Sequence, residues 1–182
     1  MRRGGLDSNE PQNIRGPEDF AAAFNVSRET IERLETYEKL LRQWQKAVNL
    51  VAPGTLDAVW HRHFADSAQL AALVPPGAER LVDLGSGAGF PGLVLAILFA
   101  DPILLGNRQP MRVALIESDT RKAAFLREVA RQTGTAVDIL STRIENAATQ
   151  PNLASPEVVL ARALAPLGRL LNLAAPLFTP ST

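Results

Sequence analysis

The stretch Val82-Asp83-Leu84-Gly85-Ser86-Gly87-Ala88-Gly89-Phe90-Pro91-Gly92 limits what this chain can fold into more than any other. Leu81 to Leu84 reads as a short buried strand. Five of the eight residues from 85 to 92 are glycine or proline, so the chain turns tightly there. The apolar run from Leu93 to Ala100 then reads as a helix. A strand, a glycine-rich turn and a helix N-terminus together make a binding site, because free backbone N–H groups and the positive end of the helix dipole converge. Glycine is needed there because a Cβ blocks a ligand from the backbone and penalises positive φ.

Two ligand classes use such a turn. Gly87-x-Gly89-x-x-Gly92 matches the dinucleotide fingerprint. Asp83-x-Gly85-x-Gly87-x-Gly89 resembles the first motif of methyltransferases that use S-adenosylmethionine (SAM). The second pattern is longer and puts an acid at the strand end. A carboxylate there repels a pyrophosphate but suits a cationic ligand, either directly or by ordering the loop. These residues favour SAM over a dinucleotide; the bland alternative is a plain tight turn.

The length of 182 residues suits one domain with room for a small appendage. Hydrophobic residues make up 46%, enough for a packed core rather than a disordered chain. No apolar run has the length to span a bilayer, and the polar N-terminus has no signal-peptide character. With no cysteine, disulfides, thiolate metal sites and cysteine nucleophiles are excluded together, and the composition fits a reducing cytoplasm. Nineteen basic residues balance nineteen acidic ones, so net charge lends no support to nucleic-acid binding and any such role needs a local patch.

Residues 1–16 read as a mobile tail, 17–76 as an N-terminal helical extension and 77–182 as the cofactor-binding domain. Within the extension, Glu18 to Phe24 suits a short helix. Ser27 suits the N-cap of a longer one, with Ile31, Leu34, Leu41, Trp44 and Val48 along one stripe. After the break at 49–54, Thr55 is expected to cap a helix carrying Arg62, His63 and Asp66 on one face. On spacing, a local salt bridge is the simpler reading of those residues than a functional cluster, and two histidines two apart on a helix do not make a metal site. Beyond Gly77, strands are expected at Leu81–Leu84, Met111–Glu117, Val137–Leu140 and Glu157–Leu160. Helices are expected from Pro91, placed at N1, to Phe99, then over Asp119–Gln132 and Pro166–Phe178. The alternation argues for an α/β fold, a parallel sheet with helices on both faces.

In such a sheet the ligand lies across the carboxyl ends of the strands. Four segments are expected to converge: the turn from Gly85 to Phe90, Glu117-Ser118, Arg143-Ile144-Glu145 and Ala161-Arg162-Ala163. Glu117 is placed to accept both hydroxyls of a ribose, or else is an acid beside a helix N-cap. Glu145 is a site residue or an exposed charge. Arg162 is a site residue or a partner for Asp83 or Glu117.

Taken together, the motifs resemble the RsmG family, also called GidB or glucose-inhibited division protein B. The residues that carry the likeness run in order. They are Trp44 through Asn49-Leu50, Arg62-His63-x-x-Asp66-Ser67, the glycine turn, Glu117-Ser118-x-x-Arg121-Lys122-x-x-Phe125-Leu126, Arg143-Ile144-Glu145 and Ala161-Arg162-Ala163-Leu164-Ala165. The resemblance implies a Rossmann-like class I SAM-dependent methyltransferase, bacterial and cytoplasmic. It implies transfer to N7 of guanine 527 in the 16S ribosomal RNA, with the 30S subunit as partner and the protein acting as a monomer without metal or membrane. By matching positions it implies cofactor contacts from Asp83, Gly85, Ser86, Gly87, Gly89, Phe90, Glu117, Ser118, Ile144, Glu145 and Arg162. Arg162 would also position the target base, while Arg62, His63, Asp66, Arg121, Lys122 and Arg143 would touch RNA or shape the pocket. The family continues past the last helix with two more strands, which this chain lacks as it stands.

The missing chemistry agrees. Guanine N7 has a free lone pair and no proton at neutral pH, so an in-line displacement needs alignment and a suitable field, not a general base. Methylation at pyrimidine carbon-5 uses a cysteine, absent here. Exocyclic amino methylation uses a [DNS]-P-P-[FYW] motif where this chain reads Ala161-Arg162-Ala163-Leu164. Other readings stay open. A small-molecule methyltransferase would show an enclosed apolar pocket, whereas a basic patch of Arg62, Arg121, Lys122, Arg143 and Arg162 would favour RNA. A dinucleotide oxidoreductase is disfavoured by Asp83. A non-catalytic binding protein that kept the fold is the fourth.

Overall fold

Every second residue of the first strand faces the same layer, and that alternation builds the molecule outward from the glycine turn. The computed structural model describes residues 13–106, 110–147, 150, 153 and 155–178, and the statements below concern those residues. Strands β1 (Arg80–Leu84), β2 (Arg112–Ile116), β3 (Asp138–Leu140) and β4 (Val158–Ala161) form one sheet in the order β3-β2-β1-β4. All its pairings are parallel, with Val82 registered beside Ala114 on one side and Val159 on the other. The chain runs outward from β1 to β3 and then crosses to β4 on the far side of β1. The switch in direction leaves a crevice beyond the carboxyl ends of β1 and β4.

Leu81, Val113 and Leu115 face one layer. Val82, Leu84, Ala114 and Ile116 face the other, as a period of two requires. The first layer holds α4 (Gly92–Phe99), α6 (Thr120–Thr133) and, stacked on them, α2 (Arg28–Trp44) of the N-terminal extension. Residues Gly92 to Leu98 of α4 are all buried, which explains why that run reads as apolar on every side. The second layer holds α7 (Ile144–Ala147) and α8 (Leu167–Ala174), through Ala147 and Ala174. A short helix α1 (Pro17–Phe24), a four-residue helix α5 (Pro102–Leu105) and a one-turn helix α3 (Asp66–Ala68) complete the elements the site needs.

Ser27 caps α2 by accepting the Thr30 N–H at 3.2 Å, as its sequence position predicts. Its own N–H donates to Asp101 Oδ2 at 2.7 Å, tying the extension to the end of α4. The helix stops at Trp44, short of the stripe's last expected member. The reason is Gln45, whose side-chain oxygen accepts the N–H groups of Leu50 and Val51 at 3.1 and 3.0 Å and whose amide donates to the Val51 carbonyl at 2.8 Å. Val48 is buried past the helix end rather than on it.

Four expectations are corrected. Of the expected tail, residues 1–12 lie outside the described residues, but Ile14 is buried in the core. Thr55 caps no helix: it sits inside a 3-10 turn over Pro53–Ala58, with its hydroxyl donating to the Ala52 carbonyl at 2.7 Å. The segment after it is a widened π-helical turn over Trp60–Ala65 leading into α3, not an ordinary helix. Finally, α4 begins at Gly92, one residue later than expected, which puts Pro91 at the N-cap, one position before the proline's usual N1 place.

Candidate functional site

The turn after β1 is made of backbone and is held from beneath. Gly89 has φ +92, and a Cβ on it would collide with the Tyr37 hydroxyl and lie 2.9 Å from Leu93 Cβ. The Tyr37 hydroxyl donates to the Ala88 carbonyl. Burial, reinforced by the nearby Asp83 carboxyl, holds the Tyr37 hydroxyl well above its ordinary pKa, so it stays a donor. At the helix start, a Cβ on Gly92 would lie 2.6 Å from Asp83 Oδ2, and its absence lets that oxygen accept the Gly92 N–H at 3.1 Å. Ser86 ties the other flank by donating to the Asp83 carbonyl at 3.0 Å.

Asp83 is therefore an ordering residue. Its side chain is buried, and Oδ1 has no hydrogen-bond partner. Burial pushes its carboxyl up to about 6, against the pull of the Gly92 N–H and the Arg162 charge. Of the two roles that the sequence left open for this acid, the geometry supplies loop ordering directly, while its charge reaches a ligand only through the field.

A cavity of about 340 Å³ opens where the turn, the end of β2 and the segments after β3 and β4 meet. Gly85, Gly87, Glu117, Ser118, Ile144 and Glu145 line it, so three of the four expected segments converge on the same space. Glu117 is buried beside it, accepting the Gly87 N–H at 2.8 Å on Oε2 and the Asp119 N–H at 2.7 Å on Oε1. Each carboxylate oxygen keeps a second lone pair for a ligand hydroxyl. A Cβ on Gly87 would meet only the Gly85 carbonyl, at 3.8 Å, so a ligand can come close to this backbone. An open glycine backbone beside a buried carboxylate fits an adenosine-type cofactor. Lys122, Arg143 and Arg169 add positive charge to its lining, and Leu164 and Leu173 add apolar surface.

The fourth segment splits. Ala163 and Leu164 line this cavity, but Arg162 turns away into a second cavity of about 710 Å³, and Ala163 is common to both. Arg162 pairs with neither Asp83 nor Glu117. Its Nη1 donates to Asp66 Oδ2 at 2.9 Å and its Nη2 to His63 Nδ1 at 3.1 Å. The same pairing corrects the expected local salt bridge, since Asp66 bonds a residue 96 positions away instead of Arg62. Arg62 is exposed on the second cavity's lining, and Arg121 is exposed at the start of α6.

His63 is fixed at both nitrogens. Thr55 commits its only proton to the Ala52 carbonyl, so at 2.8 Å from His63 Nε2 it accepts. The imidazole then carries its proton on Nε2 and offers Nδ1 to Arg162. Burial, together with the charges of Arg162 and Arg62, lowers the His63 pKa to about 4. The ring stacks on Phe90 at 4.8 Å between centroids, and the Arg162 guanidinium lies 5.4 Å from the same Phe90 ring. Phe90, expected at the cofactor, is buried among Tyr37, Phe64 and His63 and does not line the first cavity.

Sequence reasoning missed Tyr37, although it stands three after Leu34 and four before Leu41 on the apolar stripe of α2, where periodicity points to it. It also missed Thr55 as a partner of His63, for which no local signal exists. Among the described residues no three histidine, cysteine, aspartate or glutamate side chains are grouped to hold a metal, and no helix is long and apolar enough to cross a membrane.

Comparison with known proteins bears on the same residues. A family model described as GidB, rRNA small subunit methyltransferase G, matches residues 30–182. The chain is 54% identical over 165 residues to the ribosomal RNA small subunit methyltransferase G of Parvibaculum lavamentivorans, covering 91% of this chain and 70% of that one. It is 59% identical over 162 residues to the protein of the same name from Rhodospirillum centenum, covering 89% of this chain and 68% of that one. A crystal structure assigned to an O-methyltransferase of Klebsiella pneumoniae superposes with a TM-score of 0.52 at 16% identity, over 90% of this chain and 70% of that one, a likeness in fold.

Proposed function

Since this chain belongs to the GidB family, rRNA small subunit methyltransferase G, we propose that it transfers a methyl group from SAM to N7 of a guanine in 16S ribosomal RNA. The observation that carries the reading is the partition at Ala163, which joins a cavity suited to an adenosine-type cofactor to a larger one edged by Arg162. When bound, SAM supplies a methyl already activated on a sulfonium. The chain's work is then to bind and align. Glu117 offers its remaining lone pairs to ribose hydroxyls, the Ile144–Glu145 pair holds the adenine end, and the backbone at Gly85 and Gly87 admits close approach. The buried Asp83 charge and the Glu117 charge favour a cation in this space.

A ring-nitrogen target fits the side chains around Arg162. His63, with its pKa near 4 and both nitrogens hydrogen-bonded, is not free to act as a base, and N7 requires none. Arg162 is a positioning residue whose charge is offset by Asp66, which tempers its repulsion of the cationic product. Arg62 on the larger cavity and Lys122 and Arg143 on the smaller add positive charge, and with Arg121, exposed at the start of α6, they meet RNA phosphates. The protein acts as a cytoplasmic monomer on the 30S subunit.

The test offers labelled SAM with 30S subunits, naked 16S RNA and free nucleotides in parallel. Label confined to a guanine N7 of the RNA is the expected result. Label on a small molecule, or SAM binding by calorimetry with no transfer to any acceptor, would reject it.

A further inference from the structure

We propose that the second cavity is the acceptor pocket, receiving a guanine nucleotide turned out of its RNA stack between the N-terminal extension and Arg162. This rests on the methyltransferase reading above and says where the acceptor sits and what recognises it.

Methyl transfer needs donor and acceptor atoms about 3–3.5 Å apart and in line, so the acceptor must occupy space continuous with the donor's. Three consecutive residues after β4 mark the boundary. Arg162 lines the larger cavity, Leu164 the smaller, and Ala163 both. Ala163 holds a left-handed backbone, φ +53, unusual for a residue with a side chain. Such conformations persist where the surroundings fix them, and they gather at functional sites.

The lining of the larger cavity mixes apolar and polar groups in a way that suits a purine. Ala23 and Phe24 of α1, together with Ile14 and Ala65, supply apolar surface. Phe24 is held in place by its contact with Phe20, ring centroids 4.5 Å apart. His63, Asp66, Gln69 and Arg162 supply polar groups. Unpaired RNA bases are bound in this manner, stacked on an aromatic face and read along their edges. Asp66 accepts from Gln69 Nε2 at 3.1 Å and from Arg162 at 2.9 Å, which leaves it further lone pairs. Guanine carries donors at N1 and N2 that a carboxylate accepts, whereas adenine has no N1–H and no N2 amino group. Arg162 is restricted to the guanine O6 or to phosphate, because a donor placed on N7 would occupy the lone pair that must attack.

The extension, on this reading, is half of the acceptor site rather than a packing appendage. Ala23 is exposed on α1 and lines the cavity, while its exposed neighbour Ala22 does not, so the pair gives a matched test. Ala23→Trp fills the pocket, and Ala22→Trp adds the same bulk outside it. The wild type and both variants would be compared for transfer into 30S subunits and for SAM affinity by calorimetry. Ala23→Trp is expected to lose at least tenfold in transfer with SAM affinity changed less than twofold, while Ala22→Trp keeps both. Transfer by Ala23→Trp at the wild-type rate, or an equal loss in both variants, would overturn the acceptor assignment alone. Failure of the wild type itself to bind SAM would overturn the methyltransferase reading, and this inference with it.

Discussion

The turn after β1 and the segment from 53 to 66 meet where His63 stacks on Phe90, and they are built in opposite ways. The turn is made of main chain. Its glycines adopt positive φ, its N–H groups point at Asp83 and Glu117, and its geometry is set mostly within eleven residues. The other segment works through side chains. Thr55, His63, Asp66 and Arg162 form one hydrogen-bonded chain, and its last member comes from the far end of β4. A backbone site fails when a Cβ intrudes. A side-chain site fails by degrees, as each link is removed.

Gly89→Ala should break the turn outright. A methyl group there meets the Tyr37 hydroxyl and Leu93 in a backbone that disfavours any side chain. Strain and overpacking together predict a loss of about 2–4 kcal/mol, read as a fall in Tm of roughly 5–15 °C for a chain of this size. SAM binding should fall with it. A variant with unchanged Tm would show that the turn is less rigid than its contacts imply.

Arg162→Ala attacks the other side. The guanidinium does not line the first cavity, so SAM affinity should stay within a few-fold of wild type. Misplacing the acceptor should reduce kcat about 100-fold. Arg162→Lys should recover little, because one ammonium does not span His63 and Asp66 as a planar fork does. Normal transfer by the alanine variant would remove Arg162 from the site.

The same contrast explains what could be read from the sequence. The glycine turn, the parallel strands, the Ser27 cap and the place of Glu117 each depend on neighbours within a few positions or on a simple period. Tyr37 was within reach of the helical period but was passed over for the stripe's larger spacing. The partners of Arg162 were not legible, because Asp66 has an equally good candidate four residues before it in Arg62. Only the meeting of the extension with the segment after β4 decides between them. The π-helical turn at 60–65 escaped for a related reason, since no local residue type demands it.

The two regions should also respond to acid in opposite directions. Asp83 has its folded pKa raised from 3.8 to about 6, so the folded state binds a proton there that the unfolded state releases. Its contribution to stability is greatest below pH 3.8 and is lost as pH rises through 6. His63 has its pKa lowered from 6.5 to about 4, so its contribution is full above pH 6.5 and is lost as pH falls through 4. Between the two lower and upper limits the effects oppose each other and flatten the wild-type profile. Asp83→Asn keeps an acceptor for the Gly92 N–H but removes one titration. It should gain stability relative to wild type at pH 7.5 and lose about 2 kcal/mol of that advantage by pH 4.5. Parallel Tm profiles for the two proteins would contradict the burial of an ionisable Asp83.

The smallest expected effect tests the most distant link. Thr55→Val keeps the shape of the side chain but removes the oxygen that accepts the His63 Nε2–H. The Pro53–Ala58 turn should survive, because the Thr55 backbone N–H still donates to the Ala52 carbonyl at 2.9 Å. What is lost is the preference for the proton on Nε2, and with it the lone pair held towards Arg162. A neutral hydrogen bond of this kind is worth about 1 kcal/mol, so transfer should fall roughly fivefold with SAM affinity unchanged. Nitrogen chemical shifts of the His63 ring should move from a single tautomer towards a mixture, a change that simple loss of packing would not produce. Thr55→Ser, which retains the hydroxyl, should restore both the shifts and the rate. A valine variant with the wild-type tautomer and rate would mean that Arg162 holds the imidazole rather than the reverse.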